Sequence, residues 1–125
     1  MTRPAAREEA LLALYAADAV GDGPETEGLS GRGARLAAAV WDHRLELDAA
    51  IAARALGWRV ERMPAVDRAI LRIGAYELLH TDLPVGVAVS QAVELAKRYS
   101  TARSGAFVNG VLGTMARDSA AGETD

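Results

Sequence analysis

A knot of acids around one histidine is the first chemical feature of this chain. Asp42, His43, Glu46 and Asp48 crowd a single stretch, and His43 and Glu46, at i and i+3, fall on one helical face, as metal ligands often do. The stretch has no second histidine nearby, and acids with a histidine at a helix junction also serve caps and solvent, so it reads as structural and no metal is expected. The other histidine, His80, ends a strongly apolar segment, where a cation complements a helix dipole. Glu77 falls inside the apolar arc of that same segment. An unpaired carboxylate there is costly, so Glu77 is expected to accept hydrogen bonds from a neighbouring segment or to meet an arginine, as a clamp rather than a catalytic acid. Without cysteine there is no disulfide framework, thiolate zinc site or thiol nucleophile. The sequence also offers no phosphate-cradling glycine loop and no Ser/His/Asp arrangement. A non-enzymatic protein without a cofactor is expected.

The elements that hold these residues read as helices throughout. From Pro64 to Leu79, the residues Val66, Ala69, Ile70, Ile73, Gly74, Tyr76 and Leu78 make an apolar arc wider than half the circumference, with Arg68 and Arg72 on the remainder. A helix this apolar must be the central one. Pro64 suits its first turn and Asp67 opposes the positive end of its dipole. Ala6 to about Val20 forms the first helix on a stripe of Ala6, Ala10, Leu14 and Ala17, with Leu11 and Tyr15 beside it. After a turn-rich connection, Gly21 to Gly28, a second helix from Ser30 to Arg44 turns Leu36, Ala37, Val40 and Trp41 inward. Asp48 is expected to cap a third helix, Ala49 to Leu56, ended by Gly57. Trp58 then begins a short link, its ring packed between the two halves of the chain.

Beyond the turn at Thr81 to Val85, the pattern from Gly86 to Ser100 places Val89, Ala92, Val93, Ala96 and Tyr99 inside and pairs Glu94 with Arg98 at i,i+4. The last helix, Arg103 to Arg117, buries Val108, Val111, Leu112 and Met115, with Phe107 at the edge of the stripe. Asn109 is expected to tie down backbone groups, and Gly110 to let a helix approach closely.

A chain of 125 residues is one ordinary domain that buries roughly two-thirds of its unfolded surface. No signal peptide and no uninterrupted apolar run of membrane length is present, so a soluble, cytoplasmic protein without membrane partners is expected. The net charge of -3 argues against a general nucleic-acid coat, which carries a large basic excess. Lys97 is the only lysine, so the basic groups are almost all arginine.

Four segments together resemble the NusB family of bacterial transcription antitermination factors: Ala6-Arg-Glu-Glu-Ala-Leu-Leu-Ala-Leu-Tyr15, Asp67-Arg-Ala-Ile-Leu-Arg72 with Tyr76-Glu-Leu78, Ala92-Val-Glu-Leu-Ala-Lys97, and Phe107-Val-Asn-Gly-Val-Leu112. Each alone is a weak signal; their order and separations make a strong one. The resemblance implies an all-α, NusB-like fold of two small helical bundles packed together, with about six to seven helices. Residues 1–57 would form an N-terminal subdomain, 58–118 a C-terminal one, and 119–125 a disordered tail. It also implies partners: NusE, a small-subunit ribosomal protein, boxA-containing single-stranded RNA of nascent ribosomal transcripts, and the RNA polymerase antitermination complex.

Carried over residue by residue, the resemblance assigns RNA contacts to Arg3 and Arg7 in a thin N-terminal arm, to Phe107 as a stacking platform, and to Arg103 and Ser104 as phosphate contacts. Two arginines on two phosphates would give a salt slope of only about -1.4 on single strands. Arg7 has an alternative as an ion pair with Asp18 or another acid, and Phe107 one as a core ring. Tyr15, Asp67 and Arg68 fall on the implied partner face, although Asp67 also suits helix-start chemistry alone. The family's usual Asn-Glu pair is replaced here by Val89-Ser-Gln91 before Ala92. Two other readings stand beside the adaptor. One is a protein-interaction module or homodimer of the same fold with weak RNA binding. The other is an accessory domain like that of ribosomal RNA cytosine methyltransferases, which a chain ending at Asp125 without cofactor loop or cysteine does not support.

Overall fold

The computed structural model describes residues 5–123, with side chains through residue 119. Among these residues there are six α-helices and one 3-10 turn, and no strand. The helices are α1 (Ala6–Val20), α2 (Gly31–Asp42), α3 (Arg44–Arg54), α4 (Ala65–His80), α5 (Val85–Tyr99) and α6 (Ala102–Glu123), with the 3-10 turn at Val60–Arg62 before α4. No helix is long and apolar enough to cross a membrane among the described residues.

Helix α4 is the axis. Ala69 to Ala75 are buried without a break, together with Asp67 and Glu77. All five other helices pack on it, and α3 also meets α6 directly. One continuous core joins Leu11, Leu14, Val40, Leu47 and Ile51 to Ile70, Ile73, Leu112 and Met115. All four residues assigned to the inner side of the last helix are buried.

Two close approaches require glycine. A Cβ on Gly74 would stand 2.4 Å from Leu112 Cδ1 and 3.3 Å from Ala92 Cβ, so α4 touches α5 and α6 there with no room for a methyl group. A Cβ on Gly33 would likewise collide with Glu9, whose carboxylate crosses from α1 to accept from the Ser30 backbone N–H at 3.1 Å. Ser30 in turn caps α2 through its hydroxyl, which accepts from Gly33 N–H at 3.0 Å.

Several local expectations change. The third helix starts at Arg44, so Asp48 lies within it rather than capping it; its carboxylate is drawn to an arginine of α4. Gly110 and Asn109 are both exposed, and a Cβ on Gly110 would meet nothing within 4 Å, so no helix approaches there. Arg98 reaches Glu8 of α1 at 2.6 Å, while Glu94 meets Lys97 at 3.9 Å, because Glu8 offers Arg98 a partner on a neighbouring helix. Tyr99 is exposed rather than inside, and its hydroxyl donates to Glu8 at 2.6 Å, which raises that phenol above its usual value. The last helix continues to Glu123, so residues 119–123 of the expected tail are helical; 124–125 lie outside the described residues.

Gly74→Ala tests the tightest contact. Alanine gains about 1 kcal/mol over glycine in helix propensity, but overpacking a closed core costs about 1–3 kcal/mol. The expected outcome is a lower urea midpoint. In a background of Leu112→Ala, which itself costs about 2–5 kcal/mol but opens the space, adding Gly74→Ala should cost less or even stabilise; a stabilised single variant would contradict the packing.

Candidate nucleic-acid and partner interface

The residues carried by the resemblance do not form one surface. Arg3 lies outside the described residues. Arg7, on the first turn of α1, donates from Nε to Glu77 Oε1 at 2.8 Å, with side-chain exposures of 22% and 11%. This is the arginine that Glu77 was expected to meet, and it joins α1 to the central helix across the core. Arg7 is therefore an internal strut within the first helix rather than part of a free arm.

Arg68 and Asp67 leave the expected partner face. Arg68 forks onto Asp18 through Nε and Nη2, with Nε 2.7 Å away, and Nη1 donates to the carbonyls of Val60 at 3.1 Å and Met63 at 3.2 Å. Its donors are spent on holding the 3-10 turn and α1 to α4. Asp67 is 5% exposed and accepts from Ser104 Oγ at 2.8 Å, fixing the start of α6 against the start of α4. Ser104 is buried by the same contact and bonded to Ser100 and Thr101, so its hydroxyl already has partners within the protein. Only Tyr15 of the three partner residues is exposed, at 45%, one turn from the exposed Leu12.

Arg72 is the charge that the sequence reading misplaced. It sat on the polar remainder of the helical wheel, yet it is 7% exposed. Its Nε and Nη2 donate to the two oxygens of Asp48 at 2.7 and 2.8 Å, and Nη1 reaches Asp18 at 3.5 Å. Burial pulls the guanidinium down, but the hydrogen bonds and charges of Asp48 and Asp18 outweigh it and hold Arg72 above its usual value.

Phe107 and Arg103 do meet an open site. Phe107 is half-buried and meets Trp58 edge to face, ring centroids 6.1 Å apart. Trp58 is 55% exposed rather than packed between the halves, because Gly57 turns the chain outward before the 3-10 turn. The two rings line a cavity of about 330 Å³ with Met63, Pro64, Asp67 and Arg103. Arg103 is exposed, and Asp67 Oδ1 is buried with no hydrogen-bond partner. Two aromatic rings and an exposed guanidinium suit a flat, anionic ligand, as a nucleotide is. Trp58 escaped the sequence reading; its place just after a glycine that ends a helix was the signal that it need not be core.

The metal reading also changes. Helix α4 ends beside the α2–α3 junction, so His80 supplies the second imidazole next to His43 and Glu46 that the local sequence lacks.

A family model described as "NusB family" matches residues 4–117. This chain belongs to the NusB family. The transcription antitermination protein NusB of Symbiobacterium thermophilum is 46% identical, the match covering 94% of this chain and 90% of that protein. That of Anaeromyxobacter dehalogenans is 41% identical over 91% and 89%. Among solved structures, T. maritima NusB superposes with a TM-score of 0.80 at 30% identity, covering 94% of this chain and 93% of that one. A chain from a crystal structure of antitermination factors NusB and NusE in complex with dsRNA gives 0.76 at 28% identity, over 90% and 94%. The NusB-like, all-helical expectation is thus met.

Because Glu77 is nearly buried, Arg7→Ala in this NusB-family chain is expected to lower unfolding free energy by about 1–3 kcal/mol, the cost of leaving a buried acceptor without its donor. Chemical denaturation checks it. An arginine serving RNA alone would leave stability unchanged.

Proposed function

We propose that this chain is a non-enzymatic, cytoplasmic transcription antitermination factor that binds boxA RNA of nascent ribosomal transcripts as a heterodimer with NusE, within the RNA polymerase antitermination complex. The observation that carries this reading is the likeness to NusB proteins over nearly the whole length of both chains, reaching a NusB in complex with NusE and RNA. The RNA site is the Trp58–Phe107 cavity. A base stacks on the half-buried Phe107 with Trp58 as the second wall, and Arg103 at the rim holds a phosphate. Arg3 adds charge from the arm and Arg7 from the first turn of α1, with its Nε already committed to Glu77. NusE docks on α1, where Tyr15 and Leu12 are exposed. Asp67, Arg68 and Ser104 act behind these surfaces by fixing the helices that carry them.

The net charge of -3 fits a division of labour in which the partner supplies much of the attraction to phosphate. Fluorescence anisotropy of labelled boxA RNA, titrated with this chain, with NusE and with both, tests the reading against a scrambled RNA. The mixture is expected to bind tightest and to prefer boxA. Phe107→Leu, which keeps an apolar side chain in the core, should weaken the mixture about 5- to 150-fold, as losing one stacked base does. Arg103→Ala should flatten the salt slope by about 0.7. A mixture that binds no better than NusE alone, although the proteins associate, would leave a partner-docking module.

A further inference from the structure

The junction of α2 and α3 carries a second cluster that RNA and NusE binding do not use. His43 stands at the caps of both helices, Glu46 lies in the first turn of α3, and His80 ends α4. One ligand atom from each of the three lies within 4.8 Å of the others. Ligands about 2.0–2.2 Å from a shared ion are at most about 4.4 Å apart, so a small side-chain movement gathers them.

The surroundings already orient these groups as ligands. His43 Nδ1 stands 2.8 Å from the carbonyl oxygen of Ala39, which can only accept, so Nδ1 carries the proton and Nε2 presents its lone pair. A backbone carbonyl holding the far side of an imidazole is how ligating histidines are commonly fixed. Tyr76 packs against both rings, stacked on His80 at 5.3 Å and tilted to His43 at 5.5 Å, and the two imidazoles are 4.5 Å apart. His80 Nε2 and Glu46 Oε1 are already 2.7 Å apart. Glu46 and His80 are exposed and His43 half-buried, which leaves an entry path and room for water at the remaining positions.

We propose that His43, Glu46 and His80 bind a divalent first-row transition-metal ion, with Zn²⁺ as the best-fitting probe. Two imidazole nitrogens and one carboxylate with open positions suit Zn²⁺, Ni²⁺ or Co²⁺; Ca²⁺ and Mg²⁺ want more oxygen ligands than the cluster offers. The ion ties the end of the central helix to the α2–α3 junction, far along α4 from the Pro64 end that builds the Trp58–Phe107 cavity.

Untagged full chain, stripped with chelator, is titrated with Zn²⁺ by calorimetry and with Co²⁺ by visible absorption, with Mg²⁺ as control. One Zn²⁺ per chain, a Co²⁺ ligand-field band, and no Mg²⁺ uptake are expected. His80→Ala and His43→Ala should each weaken Zn²⁺ binding at least about tenfold, and Glu46→Gln by a smaller factor. Circular dichroism confirms that the variants remain helical; should His43→Ala unfold, the exposed His80→Ala decides the matter. Absence of saturable Zn²⁺ uptake, or uptake unchanged by His80→Ala, would overturn the proposal and leave a His80–Glu46 hydrogen bond.

Discussion

The structure depends on how α4 keeps its charges while losing water. A helix buried from Ala69 to Ala75 has no polar face left for Arg72, so the guanidinium must find carboxylates inside the protein. Asp48 of α3 supplies a two-point fork and Asp18 of α1 a third contact, and the same Asp18 takes Arg68. Arg7 and Glu77 repeat the device near the other end of α4. A buried ion pair adds little net stability over an apolar replacement, but breaking one leaves an unpaired charge and is strongly destabilising. These pairs therefore act chiefly as a register: α1 and α3 pack on α4 in an arrangement that pairs Arg68, Arg72 and Glu77.

That register builds the open site. Because Arg68 also binds the carbonyls of Val60 and Met63, the link between α3 and α4 is held as a 3-10 turn, and Trp58 is displayed just before it. Asp67, one residue away on α4, anchors Ser104 and hence the first turn of α6. Phe107, the next turn along, arrives edge-on to Trp58. The rings touch edge to face and together line a cavity whose geometry is set from beneath by two charged residues that an external partner need not touch.

Periodicity carried the reading as far as local pattern reaches. The bounds of α1 and α4, the inner stripe of α6 and the clamp role of Glu77 follow from apolar spacing and from the cost of burying a lone carboxylate. What escaped depends on contacts between distant segments. Asp48 looks like a cap until Arg72 is seen beside it, and Arg98 has a near partner in Glu94 by spacing but a better one in Glu8. Gly110 and Gly74 are alike in sequence, yet only Gly74 meets another helix. Asp67 and Arg68 stand in the right motif, and only the fold shows that they face inward. Trp58 was misjudged for the same reason: its aromatic neighbour, Phe107, comes from a helix far away in the chain.

The central claim is that RNA sits in the cavity that Trp58 and Phe107 line. Photo-cross-linking of 4-thiouridine-substituted boxA RNA to the mixture of this chain and NusE, followed by peptide mapping, tests it most directly. Cross-links on this chain should fall on Trp58–Pro64 and on the first two turns of α6, and should vanish with scrambled RNA. Cross-links confined to α2 and α3, or borne by NusE alone, would contradict the account.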